Sequence, residues 1–289
     1  MPESDYYAYQ EYSTPTPQPM ARRPSSPKYT YYLIGICIAV FILQSVYPLI
    51  TEYFVLSPAF ILERPWGIFT SMFLHADFLH ILYNMIGLFI FGSVLEQQIG
   101  SKNFLYLFLL CGLVGSLGYL ALADTALIGA LGASGAIFGV IGAVTLILPN
   151  MKIYVQGFIP LPMYAAGPLY VLIEIFYLRT GGGGGIAHSA HVAGFFAGLA
   201  LAYYYKKNSP VLKLNQVAFA LAAVILLTIA VGYAKFPNTS GAKIISTCIS
   251  SSDSDLQLQG CVMRAYNSAD PQTQSQIDEE LTNLLRKTG

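Results

Sequence analysis

From residue 31 onward the chain alternates long apolar runs with short polar or Pro/Gly-rich breaks. Runs over residues 31–50, 78–95 and 103–122 approach the ~20 apolar residues that a helix needs to cross about 30 Å of hydrocarbon. A fourth run, 134–148, stops at Pro149-Asn150 after about 15 residues, short of a full crossing. A helix that short with a serine at its head predicts a water-accessible depression above it. Runs over 163–178, 187–205 and 217–233 follow, the first two separated by a hinge of five glycines at 181–185. The connection 51–77, with Pro58, Pro65 and Trp66, is aromatic enough to lie in the membrane interface, and so is the segment 151–161 before Pro162. The pattern predicts an all-α fold, a polytopic transmembrane helical bundle. Its parts are a disordered cytosolic segment 1–28, a six-helix core 29–207, an additional seventh transmembrane helix 208–235 and an extracytoplasmic tail 236–289. The tail ends in a predicted helix with Asp270 as N-cap, Pro271 in its first position and Ile277, Leu281, Leu284 and Leu285 on one face.

Composition agrees with a bilayer setting. Only 10% of residues are charged and 55% are hydrophobic, against roughly 25% charged in a soluble domain. The formal net charge is zero, which offers nucleic acid no basic surface. Lys and Arg are unevenly placed. With the N-terminus in the cytosol, Arg22, Arg23, Lys28, Lys102, Lys152, Lys206, Lys207 and Lys213 fall inside, and Arg64, Arg179, Lys235 and Lys243 fall outside. This orientation places the chain in the cell membrane as a multi-pass protein with its C-terminus on the extracytoplasmic side. Cys37 and Cys111 lie in apolar runs and read as small hydrophobes. Cys248 and Cys261 lie in the tail, where an oxidising compartment would permit pairing.

Polar side chains at membrane depth are costly and mark function. Gly132-Ala133-Ser134-Gly135 opens the short fourth run, and Ala190-His191 followed by Gly194 and Gly198 lies in the sixth. A serine hydroxyl needs a base to become a nucleophile, and His191 is the best-placed base. Glycines four apart let helix backbones approach closely. Gly194 and Gly198 would thus bring the imidazole to Ser134, with Gly135 on the facing helix and Phe138 packed against the ring. No acid stands in an obvious third position, so the expected unit is a Ser134–His191 dyad. His80 and Asn84 are four apart and share a helix face. With the backbone N–H groups of Ala133 and Ser134 they are suited to hold an oxyanion. The blander alternative is that His80 and Asn84 form an interhelical hydrogen-bonded pair. His75 and His188 read as structural or cavity-lining. Glu174 is an intramembrane acid that either functions or pairs with a neighbouring helix. A zinc site from His188, His191 and His80 would leave Ser134 and Asn84 without a role, so no metal and no cofactor are expected.

These residues resemble the rhomboid family of intramembrane serine proteases over about residues 30–206. The likeness rests on His80-x-x-x-Asn84, Glu96-x-x-x-Gly100, Gly132-x-Ser134-Gly135 and Ala190-His191-x-x-Gly194-x-x-x-Gly198, in that order and on those spans. It implies Ser134 as nucleophile, His191 as general base, and His80, Asn84 and the Ser134 N–H as oxyanion donors. It implies hydrolysis of peptide bonds in transmembrane or juxtamembrane segments of other membrane proteins, with the fifth span and the connection before the second gating entry. The family often has Trp-Arg in that connection, whereas Trp66 here precedes Gly67. This departure bears on how the connection is anchored. A catalytically silent binder of transmembrane helices stays open as an alternative reading. A transporter would need inverted repeats or polar pairs through the bundle, whereas the polar groups here cluster at one depth.

Overall fold

The computed structural model describes residues 26–123, 128–155, 158–180, 187–208, 214–235, 240–250, 255–268 and 271–288. Helix α1 (Lys28–Val46) buries Thr30, Leu33, Cys37 and Gln44, a single narrow stripe, and exposes Tyr31, Ile36, Ile38 and Ile42. A helix apolar all round with one buried stripe meets lipid on its other faces. The first connection is folded rather than open, through α2 (Leu49–Phe54), a 3-10 turn at Pro58–Phe60 and α3 (Gly67–Thr70). Arg64 anchors it. Its Nη1 donates to the Glu52 carbonyl at 3.0 Å, and its guanidinium lies 4.5 Å from the Tyr53 ring centroid and 4.7 Å from that of Phe60. Trp66 Nε1 donates to the Tyr53 carbonyl at 2.8 Å. Here a cation on aromatic faces and a carbonyl does the anchoring.

The second run is one continuous helix, α4 (Phe78–Gly87), a wider π-type stretch at Leu88–Gly92 and α5 (Ser93–Ile99). Asp77 caps it, its carboxylate accepting the His80 N–H at 2.8 Å. Gly100, with φ 81°, turns the chain directly into α6 (Ser101–Leu122). Glu96 is fully buried. It accepts from the N–H groups of Tyr29 (3.0 Å) and Thr30 (2.8 Å) and from the Thr30 hydroxyl (2.8 Å). A carboxylate from α5 thus caps the first turn of α1, where N–H groups have no intrahelical partner and the helix dipole favours an anion. Glu96→Ala leaves these donors buried and unpaired, at a cost of about 1–3 kcal/mol. We expect a lower Tm in detergent, and an unchanged Tm would count against this role.

Helix α7 (Ser134–Ile147) occupies the centre of the bundle. A two-stranded antiparallel hairpin follows, β1 (Lys152–Val155) with β2 (Ile159–Pro162), in which Lys152 pairs with Pro162 and Val155 with Ile159. Among the described residues, the interfacial segment thus contributes one small sheet beside the helices. Ile153, Tyr154, Val155 and Ile159 favour extended backbone, and a two-stranded ribbon tolerates Pro160 and Pro162 because its edges are free. Helices α8 (Met163–Thr180), α9 (His188–Asn208) and α10 (Leu214–Lys235) contain the fifth, sixth and seventh predicted runs. The glycines 181–185 lie outside the described residues. Among the described residues, Lys28–Val46, Phe78–Ile99 and Ser101–Leu122 are long and apolar enough to cross a membrane by length and composition, and Ser134–Ile147 and Leu221–Gly232 are shorter apolar helices.

Helices α7 and α9 meet backbone to backbone. A Cβ added at Gly194 would lie 2.0 Å from the Gly135 carbonyl oxygen, and one at Gly198 would lie 1.8 Å from that of Gly139. Among its described residues the tail forms three helices, α11 (Ser240–Ser250), α12 (Asp255–Ser268) and α13 (Pro271–Thr288), around Ile245, Cys248, Val262 and Ile277. A disulfide joins Cys248 to Cys261. Pro271 opens α13, while Asp270 and the side chains of Leu284 and Leu285 lie outside the described residues. Lys243 of α11 pairs with Glu63 and stands over the Phe60 ring at 5.9 Å, so the tail rests on the first connection. The hydrogen bond from Lys243 holds the Glu63 carboxyl below the usual carboxylate range.

Candidate active site

The approach to α7 is set by the first connection. Leu56 and Ala130 exchange backbone hydrogen bonds at 3.1 and 2.9 Å, and the Gly132 N–H donates to the Ser71 carbonyl at 2.9 Å. Gly132 then turns with φ 123°, and a Cβ there would lie 2.7 Å from His80 Nε2. Both the backbone angle and the imidazole require glycine. Ala133 takes the N-cap position, and its carbonyl accepts the Ile137 N–H at 3.0 Å. The N–H groups of Ser134, Gly135 and Ala136 consequently have no intrahelical acceptor. Ser134 is the first residue of α7, at the positive end of its dipole.

His191 on α9 places Nε2 2.7 Å from Ser134 Oγ. The Phe138 ring, one turn below Ser134, stacks on the imidazole with centroids 4.3 Å apart and planes 9° apart. Gly194 follows His191 by three positions, and the backbone contact it makes with Gly135 sets the separation of the two helices at this level.

The structure sets a further group beside the expected pair. An acid does stand beside His191: Glu174 Oε2 on α8 lies 2.9 Å from His191 Nδ1 and 2.5 Å from His188 Nδ1. The His188 contact is a hydrogen bond. The His191 contact is close but off the N–H axis, which leaves the buried Nδ1 without a well-directed partner. Tyr177 stacks on His188 at 5.3 Å. The sequence singled out Glu174 as an intramembrane acid with two open readings, but not its place beside His191, because it lies on another helix, beyond the glycines 181–185. Which face of α8 turns toward α9 is decided by packing. The only available signal was that an acid sits within an apolar run.

His80 and Asn84 reach the site differently. His80 Nδ1 accepts the Ala76 N–H at 3.3 Å, which assigns the proton of the neutral ring to Nε2, the atom that faces Gly132. The Asn84 carboxamide is buried one turn deeper and donates to the His80 carbonyl at 2.8 Å. That bond fixes its orientation, because its oxygen cannot bond another carbonyl, and Oδ1 is left without a hydrogen-bond partner. His75 packs edge-on against His80 at 5.2 Å. Burial, then the neighbouring His80, pushes the His75 pKa down to about 4, so its ring is neutral at physiological pH. Glu174, His188 and His191 present ligand-type atoms within 4.8 Å of one another. This set differs from the His80-containing trio considered above, and the His188–Glu174 hydrogen bond already accounts for two of its members.

The family model for the Rhomboid domain matches residues 62–208, more than half of the 289 residues. Among relatives, Rhomboid protein 1, mitochondrial, of Saccharomyces cerevisiae is 31% identical over 187 residues, covering 61% of this chain and 53% of that protein. Rhomboid-like protease 3 of Toxoplasma gondii is 30% identical over 156 residues, covering 53% and 56%. Rhomboid protease GluP of Bacillus subtilis is 30% identical over 177 residues, covering 58% of this chain and 31% of that protein. The chain thus spans about half the length of the first two and less of the third. The matched region contains the helices that carry His80, Asn84, Ser134 and His191, and the helical bundle around them has the character of a multi-pass membrane protein. The chain belongs to the rhomboid family.

Proposed function

We propose that this chain is an intramembrane serine endopeptidase that cleaves transmembrane or juxtamembrane segments of membrane proteins. The observation that carries this reading is the 2.7 Å contact between Ser134 Oγ and His191 Nε2 at the head of a short apolar helix. Ser134 attacks the substrate carbonyl while His191 Nε2 takes its proton. The tetrahedral oxyanion is held by the Ser134 and Ala133 N–H groups, His80 Nε2–H and the remaining Asn84 N–H. His191 then protonates the leaving amine, and later takes a proton from the water that releases the acyl group. The substrate helix has to unwind first, because the carbonyls of an intact helix are paired and shielded. Entry beside α8 suits this step, since α8 turns Leu169, Leu172 and Phe176 outward. The reaction as written uses no cofactor and no metal.

Labelling by a fluorophosphonate, compared among wild type, Ser134→Ala and His191→Ala, tests the reading directly. A silent binder of transmembrane helices would label no better than its Ser134→Ala variant. For the oxyanion site, His80→Ala should lower kcat by roughly 100–1,000-fold with KM little changed. Steady-state cleavage in proteoliposomes measures this, and a selective rise in KM would assign His80 to substrate binding instead. The proposed arrangement has residues 1–28 in the cytosol, 29–207 as the catalytic core, 208–235 as the seventh span and 236–289 outside, with Ser134 near the outer face of the cell membrane.

A further inference from the structure

We infer that Glu174 is a positioning residue for His191, so that the working unit is a Ser134–His191 pair oriented by an acid supplied from α8. The inference rests on the serine-protease reading above. Its first support is geometric: Glu174 Oε2 lies 2.9 Å from His191 Nδ1, on the side of the ring opposite the Nε2 that meets Ser134. Its second is chemical. His191 Nε2 accepts the serine proton only if the ring proton sits on Nδ1. A carboxylate facing Nδ1 favours that tautomer and stabilises the imidazolium formed once the proton has moved.

The third support is the cost of the carboxylate. Glu174 is only 13% exposed, and the facing side chains of His188 and His191 are 7% and 8% exposed. A buried carboxylate needs donors around it. His188 supplies one through its 2.5 Å hydrogen bond, and Tyr177 stacks against His188 and steadies it. The second group facing the same oxygen is His191 Nδ1, 2.9 Å away but off the axis of a hydrogen bond. Catalytic hydrogen bonds are often misaligned before substrate binds and tighten in the complex. Phe138 holds the imidazole plane from one face, which fixes the tilt of the ring, whereas its tautomer is set by what lies at Nδ1.

The test is cleavage of a transmembrane substrate in proteoliposomes by Glu174→Gln, Glu174→Asp and Ser134→Ala, with Tm measured for each. We expect Glu174→Gln to lose roughly 100-fold in kcat with KM unchanged, because the amide can donate to Nδ1 and stabilise the wrong tautomer. Glu174→Asp, which keeps the charge, should recover at least about a tenth of wild-type kcat. The rate of fluorophosphonate labelling should fall in parallel with kcat. A kcat for Glu174→Gln within about threefold of wild type overturns the inference. Equal losses in the Gln and Asp variants, each with a lowered Tm, also overturn it, since they mark a purely structural contact. Cleavage retained by Ser134→Ala brings down the serine reading itself. An inactive Ser134→Ala beside an unimpaired Glu174→Gln brings down only the role of Glu174.

Discussion

Ser134→Ala should abolish cleavage of a transmembrane substrate in proteoliposomes, with kcat down by at least about 10⁴-fold and fluorophosphonate labelling lost. The size of the effect follows from the chemistry. With no hydroxyl at the head of α7, the covalent route is closed, and only the oxyanion donors and substrate binding act on the uncatalysed reaction. His191→Ala should cost nearly as much, because the hydroxyl 2.7 Å from Nε2 then has no acceptor for its proton. The double variant should be no slower than either single variant, since residues that act as a unit lose their joint contribution when one is removed. The protein should still fold, because Ser134 lies at a helix start with its hydroxyl turned toward the site. An unchanged Tm beside lost activity is therefore part of the expected result. Residual cleavage that tracks neither residue would assign the nucleophile elsewhere.

Among the described glycines, Gly198→Ala should add the most damaging single methyl group. Its Cβ would lie 1.8 Å from the Gly139 carbonyl oxygen and 2.6 Å from the carbonyl carbon. Backbone cannot yield as the end of a side chain does, so α7 and α9 have to separate. Ordinary overpacking costs about 1–3 kcal/mol, and a clash with a central backbone should reach or exceed the top of that range. Activity should fall further than stability. Ser134 and His191 sit on these same two helices, and a shift of about 1 Å at a reacting pair costs roughly 100-fold. A thermal melt and a labelling rate, measured on the same preparation, read both effects. Gly35→Ala is the control, because a Cβ at Gly35 meets nothing within 4 Å, and it should leave both unchanged. If Gly198→Ala matched that control, the contact between α7 and α9 would not set the geometry of the pair.

Much of this molecule was legible in its sequence because a bilayer simplifies the rules. Backbone groups in hydrocarbon must pair within their own segment, so apolar runs convert almost directly into helices, as those beginning at Phe78 and Ser101 do. The identity of Ser134, His191 and their glycines was legible for a related reason. Few polar residues occur at that depth, and glycines four apart have few other uses there. The small hairpin at 152–162 was not legible. It lies in the interface, where neither hydrocarbon nor bulk water dictates the pattern. Of the tail, the last helix was legible from Pro271 and its apolar spacing, whereas α11 and α12 are too short and polar to be read singly.

By itself, then, the sequence determined the order of the apolar helices and the identity of the candidate site residues, because these depend on local composition and spacing. Apart from the contacts of His191 with Ser134 and Phe138, which the glycine spacing led one to expect, tertiary structure decided which side chains from different helices meet. It brought the Glu96 carboxylate to the first turn of α1, Arg64 to two aromatic rings, the tail to Glu63, and Glu174 to the far side of His191. Each of these contacts depends on how one helix is rotated against another. That rotation is fixed by packing summed over whole interfaces, and no short stretch of sequence carries it.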